Sequence, residues 1–190
     1  MPSINQQFIN QYVKTRFSTF VETGTYEGET IFEMEAYFDE LYTIEISPPH
    51  YESAKAKCKG NKINFILGDS SVELRNLIHE KISNQKTVYF LDGHWSGPGT
   101  GKGTKDCPLY EELQEINQYH AEECIIIIDD VRMFERGPGQ QGDRYDVCDW
   151  QDINKKTILD IVKNRVIEYS TAPSIHNEED RIIIRLGEIK

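Results

Sequence analysis

The chain has 190 residues, 38% hydrophobic and 28% charged, with a formal net charge of −11; this is the composition of one soluble globular domain spanning 1–190. The acidity argues against a nucleic-acid partner or an anionic-membrane surface and leaves room for a local basic pocket. No stretch approaches the ~20 apolar residues of a membrane span, the N-terminal MPSINQQFINQYV lacks a basic flank ahead of an apolar run, and four cysteines without CxxC spacing read as free thiols of a cytoplasmic protein.

Residues 1–16 are expected to form an N-terminal helical extension. Apolar runs of strand length then alternate with segments of helical period. The strands are FSTFVE (17–22), ELYTIEI (40–46), INFILGD (63–69), TVYFLD (87–92) and CIIIIDD (124–130), and the helices between them are GETIFEMEAYF (28–38), PHYESAKAKCK (49–59), SSVELRNLIHEKI (70–82) and PLYEELQEINQYH (108–120). After a helix near INKKTILDIVKN (153–164) come two late strands, RVIEYS (165–170) and DRIIIRLGEI (180–189). Four consecutive isoleucines suit a parallel strand covered on both faces. The chain therefore predicts an α/β fold: a doubly wound, mostly parallel Rossmann-like sheet of about seven strands with helices on both faces. Two glycine-rich loops, 96–105 and 137–142, follow strands that run to the carboxyl edge, where such sheets bind ligands.

The first loop, SGPGTGKGTKDC (96–107), is similar to the phosphate-binding loop of adenylate kinases. A P-loop places its lysine and threonine on the first turn of the next helix. Here a helix begun at Gly103 would carry Pro108 inside it, at a cost of ~3 kcal/mol, whereas Asp106 as N-cap with Pro108 in the first turn starts the helix after the loop. The position past the middle of the chain also departs from the kinase pattern. IIIIDD as a Walker B strand is the one point in that reading's favour.

The first strand-to-helix turn, VETGTYEGET (21–30), lacks the middle glycine of the dinucleotide fingerprint. Glu22, Glu27 and Glu29 crowd the helix N-terminus and would repel a pyrophosphate, so a ligand there should carry a positive group. At the end of the second strand Glu45 can accept both hydroxyls of a ribose, and after the third Asp69 stands within reach of an exocyclic amine. An acid for an ammonium, a glycine turn, an acid for a ribose and an acid for an adenine describe S-adenosylmethionine. On these residues the chain resembles a class I S-adenosylmethionine-dependent methyltransferase over residues 17–190. The resemblance implies that Glu22 holds the amino group, Gly24 lines the cofactor and Thr25 and Gly28 shape the turn. Glu45 would hold the ribose and Asp69 the adenine end, with Thr23, Ile46, Ser70 and Asp92 completing the cofactor side.

VYFLDGHW followed by IIIIDDV is similar to the small metal-dependent O-methyltransferases of catechol and macrolide-sugar type. That resemblance implies Asp92, Asp129 and Asp130 as ligands of Mg²⁺, which suits oxygen ligands with open positions. It further implies O-methylation of a small hydroxylated metabolite such as a sugar, by a protein that could form a homo-oligomer. His94 and Asp92 are the expected catalytic residues, His94 as general base because it sits two residues past Asp92 on the same edge and imidazole is a common general base. Where the family pattern has a lysine, Ser96 stands instead; Lys102 could meet an acceptor's anion from a loop serving as a substrate lid. His50, His79 and His120 fall in helical stretches and are expected to be bystanders, and the carboxylates of EELQE and HNEED are expected to be solvated faces. A P-loop kinase and a methyltransferase-fold protein without catalysis are the alternatives.

Overall fold

In the computed structural model, which describes residues 2–140 and 146–189, seven strands form one sheet. β1 (Thr19–Thr23), β2 (Glu40–Glu45), β3 (Ile63–Leu67), β4 (Thr87–Leu91) and β5 (Cys124–Ile128) run parallel. β7 (Arg181–Leu186) lies antiparallel between β5 and β6 (Val166–Ala172), giving the order β3-β2-β1-β4-β5-β7-β6. The order reverses beside β1, which opens a crevice above the carboxyl ends of β1 and β4.

Alternation along the strands explains why both faces are covered. Val21, Tyr89, Leu91, Ile126 and Ile128 share a core with residues of three helices, α4 (Ser70–Leu77), α5 (Leu109–Tyr119) and α6 (Lys155–Val162). Phe20, Val88, Phe90, Ile125 and Ile127 instead meet Ile9 of α1 (Gln6–Tyr12) and Ile31 and Met34 of α2 (Glu29–Met34). Within the expected N-terminal extension 1–16, the helix covers Gln6–Tyr12. The remaining helix, α3 (Pro48–Lys57), begins on a proline, whose missing N–H costs nothing at a first turn. Asp69 caps α4, accepting from Ser71 N at 3.0 Å.

Two boundaries differ from expectation. The segment 70–82 is α-helical only to Leu77 and then widens into a π-helical turn, Ile78–Ile82. α5 starts at Leu109 with Pro108, not Asp106, at the capping position. Asp106 is drawn away by other donors: Lys102 Nζ at 2.8 Å and Asp149 N at 2.9 Å. Residues 141 and 142 of the second glycine-rich loop lie outside the described residues. Among the described residues no helix is long and apolar enough to cross a membrane.

His120, expected to be a bystander, is fully buried at the end of α5, its Nδ1 2.8 Å from the Tyr89 hydroxyl. Burial, helped by Arg165 and opposed by Glu122, lowers its pKa to about 4. An unfolded histidine protonates near pH 6.5, so the unfolded chain takes up the proton first, and the penalty grows as pH falls from 6.5 toward 4. Between pH 7 and pH 5 this group costs about 2 kcal/mol of stability. Urea unfolding of the wild type and of His120→Gln at both pH values isolates it, since the buried carboxylates act on both proteins; a pH dependence equal in the two refutes it.

Candidate cofactor and catalytic site

The carboxyl ends of the parallel strands open into a cavity of about 530 Å³. Gly24, Glu45, Ile46, Asp69, Ser70 and Asp92 line one half, and His94, Asp129 and Asp130 line the other. Nine sequence-predicted residues are thereby brought to one space. Glu22, Thr23, Thr25 and Gly28 are not on its wall.

The turn after β1 is built by the tight approach of two strand ends. Gly24 has φ +83° and donates its N–H to Ile44 O at 2.9 Å. A Cβ there would stand 2.8 Å from the Asp92 carbonyl carbon and closer still to its oxygen. Tyr26 takes the left-handed conformation at φ 46°, which is unusual for so large a residue, and is held by donating its N–H to Glu45 Oε2 at 2.8 Å. Glu45 Oε1 accepts from Ser47 N at 2.8 Å. Both carboxylate oxygens are thereby oriented, and each keeps a lone pair for a ligand hydroxyl.

Glu22 is placed differently from the expectation that it meets the ligand. Its Oε2 accepts from Thr43 Oγ1 at 2.7 Å, beneath the turn, and Thr43 in turn bonds Thr25. Burial raises its pKa to about 8, against the Thr43 hydrogen bond and with help from Glu45. Thr23 is buried beside Gly93, and Gly28 serves as the left-handed residue that opens α2. These four residues shape the turn from behind.

The other half of the cavity is a network of acids and cations. His94 Nε2 lies 2.9 Å from Asp130 Oδ2, its Nδ1 lies 3.5 Å from Asp92 Oδ1, and its ring meets Trp150 edge-on at 4.4 Å. Asp130 leaves β5 at φ 59°, a left-handed turn that aspartate tolerates. Although burial opposes it, His94 and Arg132 hold the Asp130 carboxyl well below the usual range. Burial, reinforced by Asp129 and Asp130, raises the Asp92 carboxyl well above it. Asp129 is raised to about 6 by burial and Asp130, against Arg181.

The three aspartates expected to form one metal set do not do so. Asp129 Oδ1 is taken by Arg181 Nε at 2.9 Å, and Arg132 bridges Asp130 and Asp180. Among the described residues, the groups whose ligand atoms lie within 4.8 Å of one another are Asp92, His94 and Asp130, and separately Asp129, Asp130 and Asp180.

Sequence reasoning missed four participants. Asp180 of HNEED is fully buried, and Glu112 of EELQE is 1% exposed. Glu112 lies behind Gly93, its pKa raised to about 7 by burial against Ser70 and Thr23. Arg181, on β7, pairs with Asp129 and also donates to Ser3 O and Pro173 O. His50 lines the cavity and its Nε2 lies 2.8 Å from Gly99 O. Helical period alone could have put Glu112 on the buried face, because it lies one turn before Ile116; nothing local marks the other three.

Lys102 is not on the cavity wall. Its Nζ pairs with Asp106 at 2.8 Å and lies 3.8 Å from the centre of the Trp95 ring. The loop also lacks the P-loop arrangement, since its lysine precedes α5 by seven residues (109 − 102).

No protein-family model matches the chain, and no curated protein matches it in sequence. Solved structures do match. A putative methyltransferase from Streptococcus mutans in complex with SAH aligns over 95% of this chain and 94% of its own, with TM-score 0.60 and 10% identity. A putative rRNA methylase from Clostridium thermocellum aligns over 100% and 98%, with TM-score 0.59 and 13% identity. The N-methyltransferase NodS from Bradyrhizobium japonicum, in complex with S-adenosyl-L-homocysteine, aligns over 98% and 89%, with TM-score 0.53 and 11% identity. The fold is that of the class I S-adenosylmethionine-dependent methyltransferases.

Proposed function

We propose that the protein is an S-adenosylmethionine-dependent methyltransferase acting on the hydroxyl of a small metabolite. The observation that carries this reading is the single cavity in which Gly24, Glu45, Asp69 and Asp92 share a wall with the His94–Asp130 pair. In this reading Glu45 accepts ribose hydroxyls and Asp69, with Ser70, takes the adenine end. Ile46 packs on the nucleoside, while Glu22, Thr23, Thr25 and Gly28 fix the turn that carries Gly24. Bound there, S-adenosylmethionine supplies an electrophilic methyl for in-line displacement.

His94 receives the acceptor's proton. Asp130, 2.9 Å from its Nε2, fixes the tautomer and stabilises the charged ring, leaving Nδ1 beside Asp92 on the cofactor side. A divalent cation such as Mg²⁺, where present, would be held by Asp92 and Asp130 and would polarise an acceptor oxygen. Equal activity in EDTA and in Mg²⁺ removes it. The net charge of −11 and the acidic mouth favour a small neutral acceptor over a polyanion.

Calorimetry with S-adenosylhomocysteine tests the reading directly. Wild type should bind, and Glu45→Ala should bind roughly ten- to hundredfold more weakly, the cost of losing hydrogen bonds to a charged group. Absence of wild-type binding overturns the proposal. His94→Gln should keep the binding and lose about 10²–10⁴ in kcat on a hydroxylated acceptor. Turnover restricted to RNA or protein acceptors would replace the small-molecule assignment.

A further inference from the structure

A second, much smaller cavity, of about 10 Å³, lies among Gly93, His94, Glu112, Asp129, Phe134 and Trp150. A water molecule needs on the order of 10–15 Å³ measured in this way, so the space fits one water and nothing larger. Its wall is not wholly apolar. Glu112 and Trp150 are each 1% exposed, and among the described residues neither Glu112 Oε1 nor Trp150 Nε1 has a hydrogen-bond partner. A buried polar atom without a partner has lost its hydration uncompensated. Here one such donor and one such acceptor belong to walls of the same space.

Local packing brings both groups there. Glu112 stands on the first turn of α5, and a Cβ on Gly93 would lie 3.2 Å from its Oε1 and 2.9 Å from Thr23 Oγ1. The carboxyl is therefore directly behind the backbone that leads into His94. Trp150 is anchored from the other side: its N–H donates to Arg136 O at 2.8 Å, and its carbonyl accepts from Glu135 N at 3.1 Å and Ile153 N at 3.0 Å. Its ring is thereby set edge-on to His94 at 4.4 Å and tilted against Phe134 at 6.2 Å. An indole N–H only donates and a carboxyl oxygen accepts, so the two are complementary, yet they do not bond each other. A water can accept from one and donate to the other. Asp129 can take its second proton, since Oδ1 serves Arg181 Nε and Asp130 N and leaves Oδ2 for it.

We infer that this space is a specific one-water site, in which the water accepts from Trp150 Nε1 and donates to Glu112 Oε1 and Asp129 Oδ2, and that Glu112 and Trp150 are thereby positioning residues for His94. Three hydrogen bonds are the usual complement of a buried water. Asp130 and Asp92 meet His94 only at its two ring nitrogens. The Trp150 edge meets the ring from the side, and the water ties that edge to α5. The site needs no ligand in the large cavity, so it stands whether or not the methyltransferase reading does.

A high-resolution crystal structure of the wild type tests the site without any variant. Density for one water about 2.7–3.2 Å from both Trp150 Nε1 and Glu112 Oε1 is expected. A dry space, or an indole bonded straight to Glu112, overturns the inference. The positioning role is tested by NMR on Glu112→Leu, which removes the acceptor, and Glu112→Gln, which keeps an oxygen in its place. The Trp150 indole N–H signal, told from that of Trp95 by Trp95→Phe, should move upfield in Glu112→Leu together with a shift of the His94 ring C–H signals. Both should return toward their wild-type positions in Glu112→Gln. His94 signals unmoved in Glu112→Leu, or moved equally in both variants, overturn the positioning role. Glu112→Met, close in size and also without an acceptor of this kind, takes the place of the leucine variant if that one does not fold.

Discussion

Replacing Gly24 with alanine is expected to cost about 2–4 kcal/mol of stability and to abolish S-adenosylhomocysteine binding. Two effects add. The residue sits at φ +83°, a conformation that a Cβ penalises by roughly 1 kcal/mol or more. The added atom would also press into the Asp92 carbonyl, a backbone group that cannot rotate away, and overpacking of this kind costs about 1–3 kcal/mol. Relief requires the ends of β1 and β4 to part, and those ends carry Gly24 and Asp92 into the cavity proposed for the cofactor. Urea unfolding and calorimetry on Gly24→Ala check both halves; a variant that binds like the wild type shows that this close approach is dispensable.

The second large effect is expected at Arg181. Its guanidinium is buried, pairs with the buried Asp129, donates to Ser3 O and Pro173 O, and lies 5.3 Å from the centre of the Phe8 ring. A buried ion pair contributes little net stability, but removing one partner strands the other. Arg181→Met should therefore lose about 3–5 kcal/mol, and adding Asp129→Asn should recover a substantial part, because the stranded charge goes with it. Measured by urea unfolding, a single-variant loss under about 1 kcal/mol would mean that Asp129 has another counter-charge. Loss of the Ser3 contact should also loosen the segment ahead of α1, seen as faster amide exchange there.

The legible part of the molecule was what period and punctuation encode. Each apolar run became a strand in the expected order, and the late pair supplied the reversed strand, β7, of a mostly parallel sheet. The acids at strand ends were legible as a set because a strand's end fixes which edge its next residue reaches: Glu45, Asp69, Asp92, Asp129 and Asp130 all arrive at one cavity. Which way a side chain turns at that edge was not legible. Glu22 points down to Thr43 rather than to the cavity, since the parity of β1 decides its face. Charge pairing over long separations was hidden as well. Asp180 and Arg181 stand 50 or so residues from Arg132 and Asp129, and only the insertion of β7 beside β5 makes them neighbours. Where the glycine loop packs was not legible either: Gly101 and Gly103 lie against Ile46 and Asp69, and an irregular segment carries no periodic signal of where it lands.

The place of β7 has a consequence for how the site comes into being. β5 delivers Asp129 and Asp130 to the edge some fifty residues before the chain supplies Arg181 (181 − 129 = 52), and β7 must enter between β5 and β6 to do so. During synthesis, then, a chain already able to pair its five parallel strands still carries mutually repelling aspartates without one of their two guanidiniums. The Asp129–Arg181 pair is therefore made only at the final strand insertion, after most of the hydrophobic core is available, so the charges at this edge are balanced last.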